Sequence, residues 1–152
     1  MDTTTRPTTT CPVCGAECNG HPAPAISSDA RGWSVAAHLG GLGAGLLSGG
    51  TLGFLGPLIV WIARRDDDAV TEHHAKEALN FQLTALAAIV ASVLLAIPML
   101  IVGILTLGVG LVLAALAVVA AVIVWFVLPI VAASRASAGT GYRYPVCIRF
   151  VR

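Results

Sequence analysis

The sequence predicts an all-α integral membrane protein: four transmembrane helices, the first two short and glycine-rich, with a cytoplasmic amphipathic elbow helix and a short extended C-terminal arm. Three observations predict it. Of 152 residues, 57% are hydrophobic and only 11% charged, far below the roughly 25% charge of a soluble domain. Two runs, 32 to 63 and 78 to 134, contain no Asp, Glu, Lys or Arg. Between them lies one hydrophilic island, RRDDDAVTEHHAKEALNFQ from Arg64 to Gln82, rich in charge and holding His73 and His74. In hydrocarbon an unpaired charge is costly and every backbone amide must bond internally, so charge-free runs of this length read as bilayer-spanning helices.

Residues 1 to 30 read as a flexible cytoplasmic tail, because Thr, Pro, Ala and Ser bury too little apolar surface to order a chain. Inside the tail, CPVCGAECNGH spaces Cys11, Cys14, Cys18 and His21 as three thiolates and an imidazole, a set that suits tetrahedral zinc. Its C-P-x-C-G opening resembles one knuckle of a zinc ribbon, but the second C-x-x-C of a ribbon is missing. A zinc knuckle, a zinc site completed by a partner chain, and reduced cysteines without a ligand all remain open. Zinc in this tail is the one cofactor the sequence suggests.

The run from 32 to 63 is too long for one perpendicular span, since its helix would measure about 48 Å against about 30 Å of hydrocarbon. Two short helices, near 32–48 and 53–64, fit better. Gly41, Gly45, Gly49 and Gly53 recur every fourth residue, a spacing that places them on one helical face and admits another backbone; the alternative is that they make the hairpin irregular. Trp33 and Trp61 mark the outer ends at the water interface, with Arg31, Arg64 and Arg65 beyond. His38 lies inside the first helix, either as a haem or proton-relay candidate or as a neutral imidazole bonded to a neighbouring helix.

In the island, Asp66, Asp67 and Asp68 offer an N-cap to a helix starting near Ala69. At 100° per residue, His73, Lys76, Glu77 and Asn80 share a polar face turned to water or a partner. Val70, His74, Ala78 and Phe81 share an apolar one turned to the bundle. Glu72 and Lys76 form an ordinary i,i+4 pair, while His73 with Glu77 at i,i+4 could bind a metal, although two ligands on a solvated face make a weak site.

The run from 78 to 134 must fold back once, and GILTLGVG from Gly103 to Gly110 is the place, giving spans near 79–102 and 109–133. Pro98 and Pro129 are expected to kink their helices. Asn80 and Gln82 carry amides into the third span and need partners there. After Ser134, GYRYPVCIRFVR alternates apolar and polar residues with a period of two, an extended arm against the bundle or the lipid surface.

With four spans every charged residue falls on one side, which the positive-inside rule makes cytoplasmic, with both termini in the cytoplasm of an inner-membrane protein. Besides the lipid bilayer, a protein partner or a second copy is expected. The net charge of +1 and the lack of a dense Lys/Arg cluster give no case for nucleic acid.

The segments AAHLGG at 36–41, GPLIVWIARRDD at 56–67, EHHAKEALNFQ at 72–82 and GYRYPVCIRF at 141–150 together resemble a bacterial four-helix membrane domain of unknown function. That domain is related to the small multispanning subunit of the chloroplast inner-envelope protein translocon (Tic-type). The resemblance covers residues 31 to 152 and falls on His38, Gly56, Pro57, His74, Lys76, Asn80, Phe81 and Gln82. It implies a four-span protein without known catalytic activity, some of whose relatives move proteins across a membrane; the cysteine tail lies outside it.

Three functions are compatible with this reading. The leading one is a non-enzymatic membrane component, a scaffold or translocation-related subunit that binds partners through its cytoplasmic face. The alternative is a small channel or transporter lined by Asn80 and Gln82. Further off stands a haem or metal redox protein using His38 with His73 or His74. No Ser/His/Asp arrangement, phosphate-binding loop or carboxylate pair within the membrane supports an enzyme.

Overall fold

The computed structural model describes Cys11, Val13, residues 25–106 and residues 108–151. Four helices lie in these residues: α1 (Ser28–Leu47), α2 (Leu55–Arg64), α3 (Ala69–Leu105) and α4 (Val109–Ser137). The described residues contain no strand. Helix α1 packs against all three others.

Helix α1 begins inside the stretch assigned from sequence to the tail. Ser27 is its N-cap, accepting a hydrogen bond from the Ala30 amide at 3.0 Å, and Asp29 adds negative charge to the first turn. At the other end the Ser48 hydroxyl donates to the Ala44 carbonyl at 2.7 Å. Gly49 and Gly50 then take φ of +64° and +92°, where a side chain would be strained, and the helix stops.

This early stop changes the role of the glycine repeat. Gly41 and Gly45 lie on α1, whereas Gly49 sits in the turn and Gly53 in the connection to α2, so the four form no continuous helical face. Folding back nevertheless brings Gly53 onto Gly41 and Gly45: a Cβ on Gly41 would stand 3.2 Å from the Gly53 oxygen. The closest approach belongs to Gly56, where a Cβ would come within 2.3 Å of the Gly40 carbonyl carbon. At that separation only two glycines pack.

Asp68 caps α3, as the acidic run predicts, accepting from the Val70 and Thr71 amides at 3.1 Å each. The expected separate elbow and third span turn out to be one helix of 37 residues, about 55 Å long. Helix α3 runs unbroken through Pro98, as α4 runs through Pro129. The chain reverses where the glycines of 103–110 place the turn. Gly108 has φ of +86°, and a Cβ on Gly110 would lie 3.3 Å from the Gly103 Cα.

The resulting molecule has two zones. In the first, α1, α2, the N-terminal half of α3, the C-terminal part of α4 and the arm pack into a head. Its apolar core includes Ala37, Val60, Ala75 and Ala78, with Phe81, Ala132 and Tyr144 in a second cluster. In the second, α3 beyond Leu86 and α4 before Trp125 form a bare hairpin. The most apolar windows of the two helices are only 6% and 0% buried. A soluble core helix of that hydropathy would be mostly covered, so both helices have the length, composition and exposure of membrane spans.

Candidate functional site

The head's polar interior is built on α3. Thr71, His74, Glu77, Asn80 and Gln82 are all buried on its N-terminal half. They face α1 on one flank and the C-terminal arm on the other. The predicted division into a wet and a dry face therefore needs correcting. His74 and Phe81 turn inward as expected, but so do Glu77 and Asn80, which lie under the arm rather than facing water. Lys76 stays outside and pairs with Glu72 at 2.8 Å, the surface pair expected at i,i+4.

At the centre, the His38 ring joins three segments. Its Nδ1 is 3.0 Å from the Tyr144 hydroxyl and its Nε2 is 3.1 Å from His74 Nδ1, with the two imidazoles edge-on at 89°. A neutral imidazole has one donor and one acceptor nitrogen, so the chain permits two proton arrangements. Either Tyr144 donates to His38 and His38 to His74, or both bonds run the other way. In both, His74 Nε2 is the terminus, and this buried atom has no partner among the described residues. His38 is thus bonded to a neighbouring helix, the contact that one of its two alternatives from sequence expects.

Tyr144 is held on every side. Its ring stacks on Phe81 at 4.3 Å and 14°, and its amide donates to Glu77 Oε2 at 3.2 Å. Burial first, and then nearby Tyr142, Cys147 and Glu77, push its phenol far above the ordinary value of 10.0, so it stays protonated. Glu77 Oε1 also faces Arg149 Nε at 3.4 Å and Arg143 Nε at 3.9 Å. The Arg149 contact lacks hydrogen-bond geometry and acts as a charge pairing across the arm.

Asn80 fastens the end of the arm. Its Oδ1 accepts from the Phe150 and Val151 amides at 2.9 and 2.8 Å, while Nδ2 donates to the Val151 carbonyl at 2.8 Å. One turn on, Thr84 accepts from the Ile148 amide at 2.9 Å and donates to the Asn80 carbonyl at 2.8 Å. Gln82 points to the opposite flank. It accepts from Trp125 Nε1 at 3.2 Å and fills the space left by two glycines, since a Cβ would come within 3.0 Å of its amide at Gly41 and within 2.6 Å at Gly53. Both amides thus find the partners that entry into an apolar helix requires.

Cys147, beside Thr84, has its thiol raised chiefly by burial, against the nucleophilic character of an exposed low-pKa thiol. A second polar region lies at the top of the head. There a cavity of about 290 Å³ is lined by Asp29, Arg64, Asp67, Asp68 and Cys11, among others. Arg64 pairs with Asp29 and, at 3.5 Å, with Asp67. Its guanidinium lies 5.2 Å over the Trp33 ring, so the N-terminal end of α1 and the C-terminal end of α2 share one level, as the paired tryptophans suggest. Of the zinc ligands expected in the tail, Cys14, Cys18 and His21 lie outside the described residues. No group of three metal-ligating side chains occurs among the described ones.

The structure gathers His38, His74, Asn80, Phe81 and Gln82 into or beside one network, buries Pro57 and sets Gly56 against Gly40. Sequence reasoning missed Tyr144, Glu77, Thr84 and Trp125 as members. The period of two in the arm was the available signal for Tyr144; pairing it with His38, 106 residues away, needed the fold.

Residues 29–151 match the model of the magnetosome magnetite crystal formation protein family, MamF/MmsF, and the chain belongs to that family. No curated protein and no solved structure matches it. The match supports the membrane assignment and brings nothing in favour of a translocon relationship.

Proposed function

We propose that this chain is a non-catalytic structural component of a magnetosome membrane, anchored by the α3–α4 hairpin and presenting its head to partners on one membrane side. Family membership supplies the setting. The observation that carries the structural reading is the use of the head's buried polar groups. Asn80, Glu77, Thr84 and the His38–His74–Tyr144 chain all hold the arm or another helix. Groups engaged in this way favour a fixed shape over turnover or passage. Asn80 and Gln82, the amides a transport path would need, are both occupied, which weighs against the channel reading.

Arg64, Arg65, Arg135, Arg143 and Arg149 all belong to the head, and the connection at the hairpin tip carries no charge. By the positive-inside rule the head and both termini are cytoplasmic. Zinc in the Cys11, Cys14, Cys18, His21 tail is a separate proposal. Elemental analysis of the purified chain should find about one zinc, lost on C14S/C18S; a metal-free intact chain overturns it.

The scaffold reading is tested in a magnetite-forming host. Cells lacking the chain should form crystals of altered size or shape by electron microscopy. An N80A chain that still reaches the membrane should restore them incompletely. Unchanged crystals in cells lacking the chain would overturn the proposal.

A further inference from the structure

The two turns of the molecule lie at different depths. Gly50, in the α1–α2 turn, is level with Ile89: a Cβ on Gly50 would lie 2.8 Å from the Ile89 Cδ1. From Ile89, α3 continues to Leu105, a further rise of about 24 Å before the α3–α4 turn. A plane through one turn cannot pass through the other without a very large tilt of the whole bundle.

The bare part of the hairpin is by itself the thickness of a bilayer. Residues 87–105 of α3 rise about 28 Å and residues 109–124 of α4 about 24 Å, against about 30 Å of hydrocarbon. Helix α2, with 10 residues, rises only about 15 Å. With the α3–α4 turn at the far interface, the near interface falls close to Thr84–Leu86. There the buried polar network ends and full exposure begins.

Two other segments of the head reach this same level and expose apolar side chains there. At the tip of α1–α2, Leu46, Leu47 and Leu52 are 53%, 93% and 46% exposed. The arm is deepest where the Ile148 amide meets Thr84, with Val146 and Ile148 67% and 57% exposed. Arg143 and Arg149 flank this apolar tip in sequence and both face Glu77 Oε1. Apolar tips on two unrelated segments, at the depth where the spanning hairpin becomes bare, match a lipid surface rather than water.

We propose that only the α3–α4 hairpin crosses the bilayer. The α1–α2 hairpin and the C-terminal arm enter the near leaflet with Leu46, Leu47, Leu52, Val146 and Ile148 and return on the side they came from. The chain is thus a two-span anchor with an interfacial head, and residues 48–52 never reach the far side.

The test is one-sided labelling in sealed vesicles of known orientation with a membrane-impermeant maleimide. The background chain has its four cysteines changed to Ser, and carries Ser134→Cys, Thr106→Cys, Leu47→Cys or Thr51→Cys. Ser134→Cys should label from the head side only and Thr106→Cys from the opposite side only. Leu47→Cys and Thr51→Cys should give no label from the Thr106 side. Leu47 is the most exposed leucine of the tip and Thr51 is also exposed, so neither change disturbs packing. Labelling of either from the Thr106 side overturns the proposal. So does failure of Thr106→Cys to label from that side when it labels in detergent.

Discussion

The head and the hairpin are made of the same two helices, yet they obey different solvents. Along α3, Thr71 to Gln82 includes five buried polar side chains, each with a partner helix or arm to meet. From Val90 to Leu105 the helix shows large apolar side chains to its surroundings on nearly every side. The lesson is that helix α3 is continuous in backbone but not in environment. What changes beyond Leu86 is what covers it, since the arm reaches Thr84 and the α1–α2 turn reaches Ile89. Substitutions should therefore have opposite consequences in the two zones.

The largest difference is expected at glycines in contact. Gly56→Val should destabilise the head by about 3 kcal/mol or more, since its Cβ would overlap the Gly40 backbone and backbone cannot yield as a side chain does. Thermal unfolding in detergent, followed by tryptophan fluorescence, would measure this loss; a stability within error of the parent would show that the two helices can separate. The reverse pattern is expected in the hairpin. Val118→Lys, on the exposed face of α4, should oppose insertion by about 2.5–3.5 kcal/mol, read as a fall in the membrane-integrated fraction. Val118→Ala should leave the head's unfolding midpoint unchanged.

A smaller effect is expected where the arm is fastened. Asn80→Ala removes three hydrogen bonds to Phe150 and Val151. At about 1 kcal/mol each, and with water able to satisfy the freed amides, the loss should be about 1–3 kcal/mol. It should appear as protease sensitivity after residue 138 with the hairpin still inserted. Equal protection of parent and variant would show that Tyr144, Glu77 and Thr84 hold the arm without Asn80.

The smallest effect is set by pH at the top of the head. Burial raises the Asp68 carboxyl, but the Thr71 hydroxyl, the Val70 and Thr71 amides and Arg64 together hold it below its ordinary 3.8. A depressed carboxylate stabilises the fold fully above 3.8. That stabilisation is lost as pH falls below 3.8 and through the lower folded value. Asp68→Asn should therefore lower stability slightly at neutral pH and flatten the acid limb below the ordinary carboxyl value of 3.8. An unchanged acid limb would mean that other carboxylates dominate it.

Much of this organisation was legible in the chain. Hydropathy placed the two long helices, the triple aspartate placed the start of α3 at Ala69, and Gly103 to Gly110 marked the reversal. Phasing at 100° turned His74 and Phe81 inward. The same phasing failed for Glu77 and Asn80 because it sorts residues by polarity, and a polar side chain faces inward when another segment brings partners to it. The arm does so with the backbone of Phe150 and Val151 and with the Tyr144 amide. The glycine repeat was visible too, but its use was misplaced. Period four implies one helical face only if the helix continues, and the turn at Ser48 to Gly50 folded that pattern back on itself.

By itself the sequence determined that this chain belongs in a membrane, that two long apolar helices flank a reversal at 103–110, and that the charges of the described residues gather at one end. These follow from local costs: unpaired charge and unbonded amides in hydrocarbon, and strain at particular φ angles. Only the tertiary structure decided that His38, His74 and Tyr144 form one chain of hydrogen bonds. It alone set Gly56 against Gly40 and ended the packed zone halfway down α3. Those outcomes depend on how far α1, α2 and the arm reach along α3. That reach is fixed by the contacts of residues distant in sequence, which no local cost encodes.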